Sequence, residues 1–356
     1  MRREPNVSVP IQRPSWLPKY LPELDGLRGA AILAVVLYHC KPRLVGTWLY
    51  GPSLWGWAGV TLFFFLSGFL ITANLLTTRD DPRYFHNFHA RRALRIWPLY
   101  LLLLAVCYLN SEWFVGLPVF EAFRTAPWWA YLLCIQNLFT LALPPAVGPT
   151  WALAIEEQYY FLWAPAVRWL RRPWMLFLLL IAALVAPPII RSHHHAWITP
   201  THTLIHLDGI ALGSLLALGL YTLGGSQKRW RALGALSFAG GIAAAATIAG
   251  GTAYLDSALA FGLGGLAILL ITSTGSPWLA VFRRGPLRYY GKVSYGLYLC
   301  HISVFIYFGW FDRQMDAYGT VGNLAVVAFR IAASTAVATL LWYGLESRIL
   351  KLKNRF

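Results

Sequence analysis

The sequence predicts an all-α, polytopic membrane protein: a bundle of about ten transmembrane helices with one further re-entrant or interfacial segment. Three observations carry that reading. The chain is 58% hydrophobic and 12% charged with a mean hydropathy of +0.53, whereas a soluble domain is about half apolar and about a quarter charged. Apolar stretches of about 20 residues, the length of one crossing, take up most of the 356 residues. The basic residues gather in alternate loops, as they do when cytoplasmic loops retain Lys and Arg.

Crossings are expected at roughly 25–41, 56–76, 94–111, 151–169, 173–190, 203–222, 230–249, 254–273, 290–311 and 322–345. Residues 1–24 are polar and Pro-containing, which suits a retained cytoplasmic segment better than a cleavable leader. Residues 25–345 then form the transmembrane domain and 346–356 a cytoplasmic tail. With both termini in the cytoplasm of a cell-membrane protein, only Lys41, Arg43, Arg124, Arg191 and Arg313 fall in outer loops, five of the 30 basic residues. The formal charge of +16 is therefore mostly topology and needs no nucleic-acid partner. The apolar run 128–143 (WWAYLLCIQNLFTLAL) breaks the alternation, because a full crossing there would place Arg168, Arg171 and Arg172 outside. It is expected to re-enter or lie at the outer interface, packed on protein.

Metal chemistry is not expected. Cys40, Cys107, Cys134 and Cys300 lie in apolar segments without ligand spacing and read as reduced core thiols. The contiguous His193, His194 and His195 lack the i,i+4 geometry of a zinc helix.

Ionisable residues at bilayer depth cost at least ~2.5 kcal/mol each, so every one is a functional candidate. In PELDGLRGAAILAVVLYHC, Arg28 and His39 are eleven residues apart. That separation is about 1,100° of turn, close to three full turns, so both lie on one face about 16 Å apart along the axis. Asp25 is near enough in sequence to hold the Arg28 guanidinium. In GVTLFFFLSGFLIT, Ser67 has no nucleophile elbow around it and reads with Gly68 as a site of close helix packing. In FHARRALRIWPLY, Arg91, Arg92 and Arg95 cluster at the inner surface, where guanidinium forks suit phosphate. Glu156 and Glu157 follow Trp151 closely and are expected near the outer end. About 100° separates neighbouring helix positions, so only one of the two can face a given site. Glu156 beside a histidine would orient it or share its proton. Asp208, His301 and Arg330 are further charged or titratable groups in apolar spans; Arg330 is expected to be paired.

Taken together, LDGLRG with Arg28 and His39, the FFFLSGF helix, RRALRIWPLY, W-x-L-x-x-E-E-Q-Y-Y, DGIALGSLLA and SYGLYLCH resemble the acyltransferase-3 family of integral membrane acyltransferases over nearly the whole chain. The resemblance implies transfer of an acyl group, commonly acetyl from cytoplasmic acetyl-CoA, to hydroxyls of lipid-linked or cell-surface carbohydrate. It implies essential roles for Arg28 and His39, donor contacts for Arg91, Arg92 and Arg95, and a site role for Glu156. A serine usual in the W-S-L motif is Ala152 here, so no role rests on that hydroxyl. The hydrolase-like C-terminal domain of some relatives is not expected, and a second transfer step would then need another protein.

Residues and resemblance together give an expected mechanism. Arg91, Arg92 and Arg95 hold the CoA phosphates, Arg28 lines the entrance, and His39 is general base toward an acceptor arriving from outside. The competing reading is a proton-coupled transporter or flippase of a polar solute, with His39, Glu156, Asp208 and His301 as a proton relay.

Overall fold

The computed structural model describes residues 13–18, 20–113, 127–139, 143–193, 198–248 and 252–355. Within them the chain is helical and contains no strand. The long helices are α1 (Pro22–His39), α2 (Ala58–Thr77), α3 (Tyr84–Trp113), α4 (Thr150–Trp169), α5 (Pro173–Ser192), α6 (Leu207–Thr222), α7 (Gln227–Thr247), α8 (Thr252–Thr272), α9 (Gly285–Tyr307) and α10 (Gly319–Leu341).

Five helical stretches are long and apolar enough to cross a membrane: Ala58–Thr77, Tyr84–Leu109, Pro173–Ser192, Ala253–Thr272 and Gly309–Lys353. The chain is accordingly a multi-pass membrane protein. Burial runs opposite to what a water-soluble bundle requires. The most apolar of these stretches, α5, has 17% of its core window buried and presents Leu178, Leu179, Ile181 and Val185 outward, as a lipid-facing helix does. Helix α2, with 67% buried, lies inside the bundle.

Two glycine seams set the interior. On α1, a Cβ at Gly29 would stand 1.9 Å from the Leu287 carbonyl oxygen of α9. Reciprocally, one at Gly291 would stand 1.9 Å from the carbonyl oxygen of Asp25. The glycines of LDGLRG thus let the two backbones touch, which places Arg28 against α9. Between α2 and α6, Gly68 and Gly213 do the same, each with a virtual Cβ 2.0 Å from the facing carbonyl oxygen of Ile210 or Phe65. Around these pairs, α10 packs on α9, α5 and α8 pack on α6, and α7 pairs with α8.

Three element boundaries differ from expectation. Helix α3 starts at Tyr84 instead of near 94, so the arginine run forms part of one 30-residue helix and is no separate surface loop. Arg191, expected in an outer loop, is in the last turn of α5. Helix α10 continues through a π-turn at Trp342–Glu346 and short helical turns to Arg355, so most of the expected tail is structured. The run 128–143 is seen in part, residues 140–142 lying outside the described residues. It has a five-residue helix, Trp128–Leu132, followed by a 3-10 turn at Gln136–Leu138. Five residues rise about 7.5 Å, far short of a crossing. The segment is tied to protein: Gln158 donates to the Cys134 carbonyl (2.8 Å) and to Asn137 (2.9 Å), and Asn137 donates to the Thr201 carbonyl (3.0 Å).

Candidate active site

Three adjoining cavities run along α1. The first, of about 490 Å³, is lined by Arg28, Arg95, Arg288, Lys292, Glu346 and Lys353 among others. The second, of about 90 Å³, shares Arg28, Arg95, Ser294 and Tyr295 with the first and adds Ser67, Arg92 and Glu156. The third, of about 1080 Å³, shares Val60, Phe64 and Tyr298 with the second and is lined by His39, Trp151, His206 and Asp256. Arg28 and His39 therefore bracket the series, as their common helix face requires.

The arginines are the unusual feature of the first two cavities. Arg28 and Arg95 are half-buried, yet neither makes a hydrogen bond or ion pair among the described residues. Arg92 lies over the Tyr160 ring at 5.1 Å, a cation–π contact that leaves its N–H groups uncommitted. Three carboxylates line these cavities with them: Asp25 and Glu346 in the first, and Glu156 in the second, where Ser67 donates to Glu156 Oε1 at 2.6 Å and Tyr160 to its Oε2 at 3.0 Å. Guanidinium groups without an ion-pair partner beside a cavity keep N–H donors that an anion can take.

Several expectations are corrected here. Asp25 does not hold Arg28; its Oδ2 accepts from Tyr20 at 2.5 Å, and Tyr20 in turn accepts from Arg288 at 3.3 Å. Ser67 does not serve packing, which falls to Gly68; its hydroxyl fixes Glu156. The three arginines do not line one cavity together. Arg95 lines both cavities, Arg92 only the second, and Arg91 is exposed and lines neither. Spacing of i,i+4 put Arg91 and Arg95 on one side, but Arg91 is a turn further out than the cavity reaches. Glu156 is not beside His39. Trp151 lines the third cavity, and five residues of helix carry Glu156 about 7.5 Å deeper, to the arginines. Glu157 points away from all three cavities, as the 100° offset demands. Arg288, Lys292 and Lys353 were not singled out from sequence, because basic residues at helix ends read as topology.

At the other end, His39 Nδ1 is 2.9 Å from the Val35 carbonyl oxygen and 3.2 Å from Nε2 of His301. His301 is fully buried, with its own Nδ1 2.8 Å from the Tyr298 carbonyl oxygen and 3.1 Å from that of Leu297. Carbonyls only accept, so His301 carries its proton on Nδ1 and presents a lone pair at Nε2. His39 Nδ1 then faces two acceptors and must carry the proton. The lone pair of His39 is left on Nε2, which makes no bond with any described residue. Hydrogen bonding alone fixes the tautomer a general base requires.

Asp208, placed in a proton relay by the competing sequence reading, is locked. Its Oδ2 accepts from Arg191 Nη2 at 2.8 Å and from Ser257 at 2.6 Å. Arg191 also donates to the carbonyls of Ala253 (2.7 Å) and Ile205 (2.5 Å) and approaches Asp256 at 3.6 Å. Arg330 is ion-paired with Asp312, as expected of a charge in an apolar span. The four cysteines are buried and free. Of the histidine tract, His194 and His195 lie outside the described residues.

Fold and site together define a multi-pass membrane protein with an anion-receptive cavity at one end of a helix and a tautomerically fixed histidine at the other. A family profile described as "Acyltransferase domain" matches residues 21–343, and the chain belongs to this acyltransferase-3 family. It is similar to the peptidoglycan O-acetyltransferase OatA of Listeria monocytogenes, 28% identical over 320 residues that cover 80% of this chain and 49% of that one. A putative O-acetyltransferase of Staphylococcus aureus (strain COL) is 28% identical over 333 residues, 84% of this chain and 53% of that one. The putative peptidoglycan O-acetyltransferase YrhL of Bacillus subtilis is 33% identical over 158 residues, 41% of this chain and 23% of that one. The chain thus spans about half the length of the first two of these relatives. No solved structure matches it.

Proposed function

We propose that the chain is a membrane O-acyltransferase that moves an acyl group, acetyl foremost, from cytoplasmic acyl-CoA to a hydroxyl of a carbohydrate or lipid-linked glycan. The observation that carries this reading is the set of unpaired guanidinium groups, Arg28, Arg92 and Arg95, around cavities that adjoin the His39 cavity. CoA is a polyanion with a narrow arm. Its phosphates suit the first cavity, where Arg288, Lys292 and Lys353 add to Arg28 and Arg95, and its pantetheine suits the narrow second one. The third is roomy and lined by Trp57, Phe64, Trp151 and Asp256, a composition suited to a sugar with its apolar faces and hydroxyl edges. The peptidoglycan named in two relatives is a glycan acceptor of this class.

The reaction follows from the histidine pair. His39 Nε2 takes the acceptor hydroxyl proton as the oxygen attacks the thioester carbon. His301 Nε2, accepting from His39 Nδ1–H, orients the imidazole and stabilises the imidazolium that forms. Glu156, held by Ser67 and Tyr160, keeps the arginines spaced around the donor path. The Arg28 end faces the cytoplasm, where acyl-CoA resides and where the basic loops belong. In this reading the ten long helices all cross the membrane, and the short helix Trp128–Leu132 lies at the outer side. The transporter reading loses support, since Asp208 is held by Arg191 and Ser257 and lies apart from the histidine pair.

The test is donor binding. Acetyl-CoA at about a hundred times its Kd should stabilise the purified protein by roughly 2.7 kcal/mol, read as a raised melting temperature. An unmoved melting temperature, with no acetyl transfer to a glycan acceptor, would contradict the proposal.

A further inference from the structure

The second and third cavities meet at three side chains, Val60, Phe64 and Tyr298. A thioester presented from the arginine side to a hydroxyl activated by His39 must react at this junction. When the acceptor oxygen bonds to the thioester carbon, the carbonyl π pair becomes an oxyanion, and a hydrogen-bond donor aimed there lowers the barrier. Val60 and Phe64 are hydrocarbon. Tyr298 carries the one polar side-chain atom at the junction.

The surrounding hydroxyls are already committed. Around the second cavity, Ser67 donates to Glu156 (2.6 Å), Ser294 to the Gly291 carbonyl (2.9 Å) and Tyr295 to the Ile96 carbonyl (2.7 Å). The Tyr298 hydroxyl makes no hydrogen bond with any described residue. Its ring is positioned all the same, edge-on to Phe63 at 6.3 Å and tilted against His301 at 6.1 Å. Its backbone carbonyl accepts from His301 Nδ1 at 2.8 Å, so the same residue anchors the partner of His39. A fixed phenol with an unused O–H, one turn from His301 and at the mouth of both cavities, is a preorganised donor.

We propose that Tyr298 is a catalytic residue whose hydroxyl donates to the oxyanion of the tetrahedral intermediate, a role that rests on the acyltransferase reading above. The acceptor O–C bond forms while His39 Nε2 takes the hydroxyl proton, and the thioester oxygen gains the electron pair and the Tyr298 hydrogen bond. Collapse restores the carbonyl, breaks the C–S bond, and the leaving CoA thiolate takes the proton from His39.

Tyr298→Phe removes the hydroxyl and keeps the ring. Measured on the full-length purified protein with acetyl-CoA and a glycan acceptor, kcat should fall by about 10²–10³-fold. Acetyl-CoA should still raise the melting temperature as it does in wild type. Tyr298→Leu, which removes ring and hydroxyl, should lose at least as much rate. A structural role predicts instead that the Phe variant turns over like wild type and only the Leu variant fails, and that result overturns the assignment while leaving the acyltransferase reading intact. Loss of folded protein in the Phe variant would likewise make the hydroxyl structural and overturn it. A wild-type protein that neither binds nor transfers acetyl would remove both proposals together.

Discussion

Two arginine environments at opposite ends of the bundle show how this protein uses charge. Arg191 is spent on the fold: Asp208, Asp256, Ser257 and two carbonyls occupy its donors, and its side chain is 9% exposed. Arg28 and Arg95 make no ion pair or hydrogen bond among the described residues, although they line cavities inside the same fold. A buried charge left unpaired is costly, whereas a paired one is a structural element. Under the proposed function, the difference separates a cation that holds the bundle together from cations kept open for the anionic donor. The histidine end repeats the lesson with protons: His301 is saturated so that His39 keeps one nitrogen open.

The contrast can be broken most severely at the seam that creates it. Gly29→Val would drive side-chain carbons into the Leu287 carbonyl, a virtual Cβ already lying at 1.9 Å. Separating α1 from α9 should abolish folded protein, and with it both donor binding and transfer, as size-exclusion yield would show. Next in size, Arg95→Ala should weaken acetyl-CoA binding by about 10–100-fold, the worth of one or two charge-assisted bonds. Transfer at saturating donor should change far less, and a kcat loss without a Kd change would place Arg95 in the chemistry instead. His301→Phe keeps a ring but removes the acceptor for His39. It should lower kcat by roughly tenfold, as loss of an orienting partner does, with acetyl-CoA binding unaltered. Arg91→Ala should be the mildest, within about twofold in Kd, because Arg91 lines none of the cavities. An effect as large as that of Arg95→Ala would restore the three-arginine cluster.

What the sequence revealed follows from what a helix fixes by itself. Eleven residues set the angle and separation of Arg28 and His39, and both line the cavity series. The offset of Glu156 from Glu157 was legible for the same reason. The register between helices was not. Nothing in the spacing told that Glu156 sits level with the arginines, that Ser67 reaches it, or that His301 touches His39 across the α1–α9 seam. Those depths depend on how far each helix slides along its neighbour, which the glycine contacts decide. Arg288, Lys292 and Lys353 were visible but indistinguishable from basic residues that mark membrane orientation. Tyr298 was overlooked because one tyrosine in an aromatic-rich helix carries no signal until the two cavities meet at it.

The central claim is that binding and chemistry are divided along α1, with anion capture near Arg28 and proton removal at His39. Measuring acetyl-CoA affinity and acetyl transfer on the same purified His39→Ala protein tests it most directly. The division predicts wild-type affinity for acetyl-CoA together with a loss of transfer on the order of 10²–10⁴-fold, the range for removing a general base. Transfer at the wild-type rate by folded His39→Ala protein would contradict it.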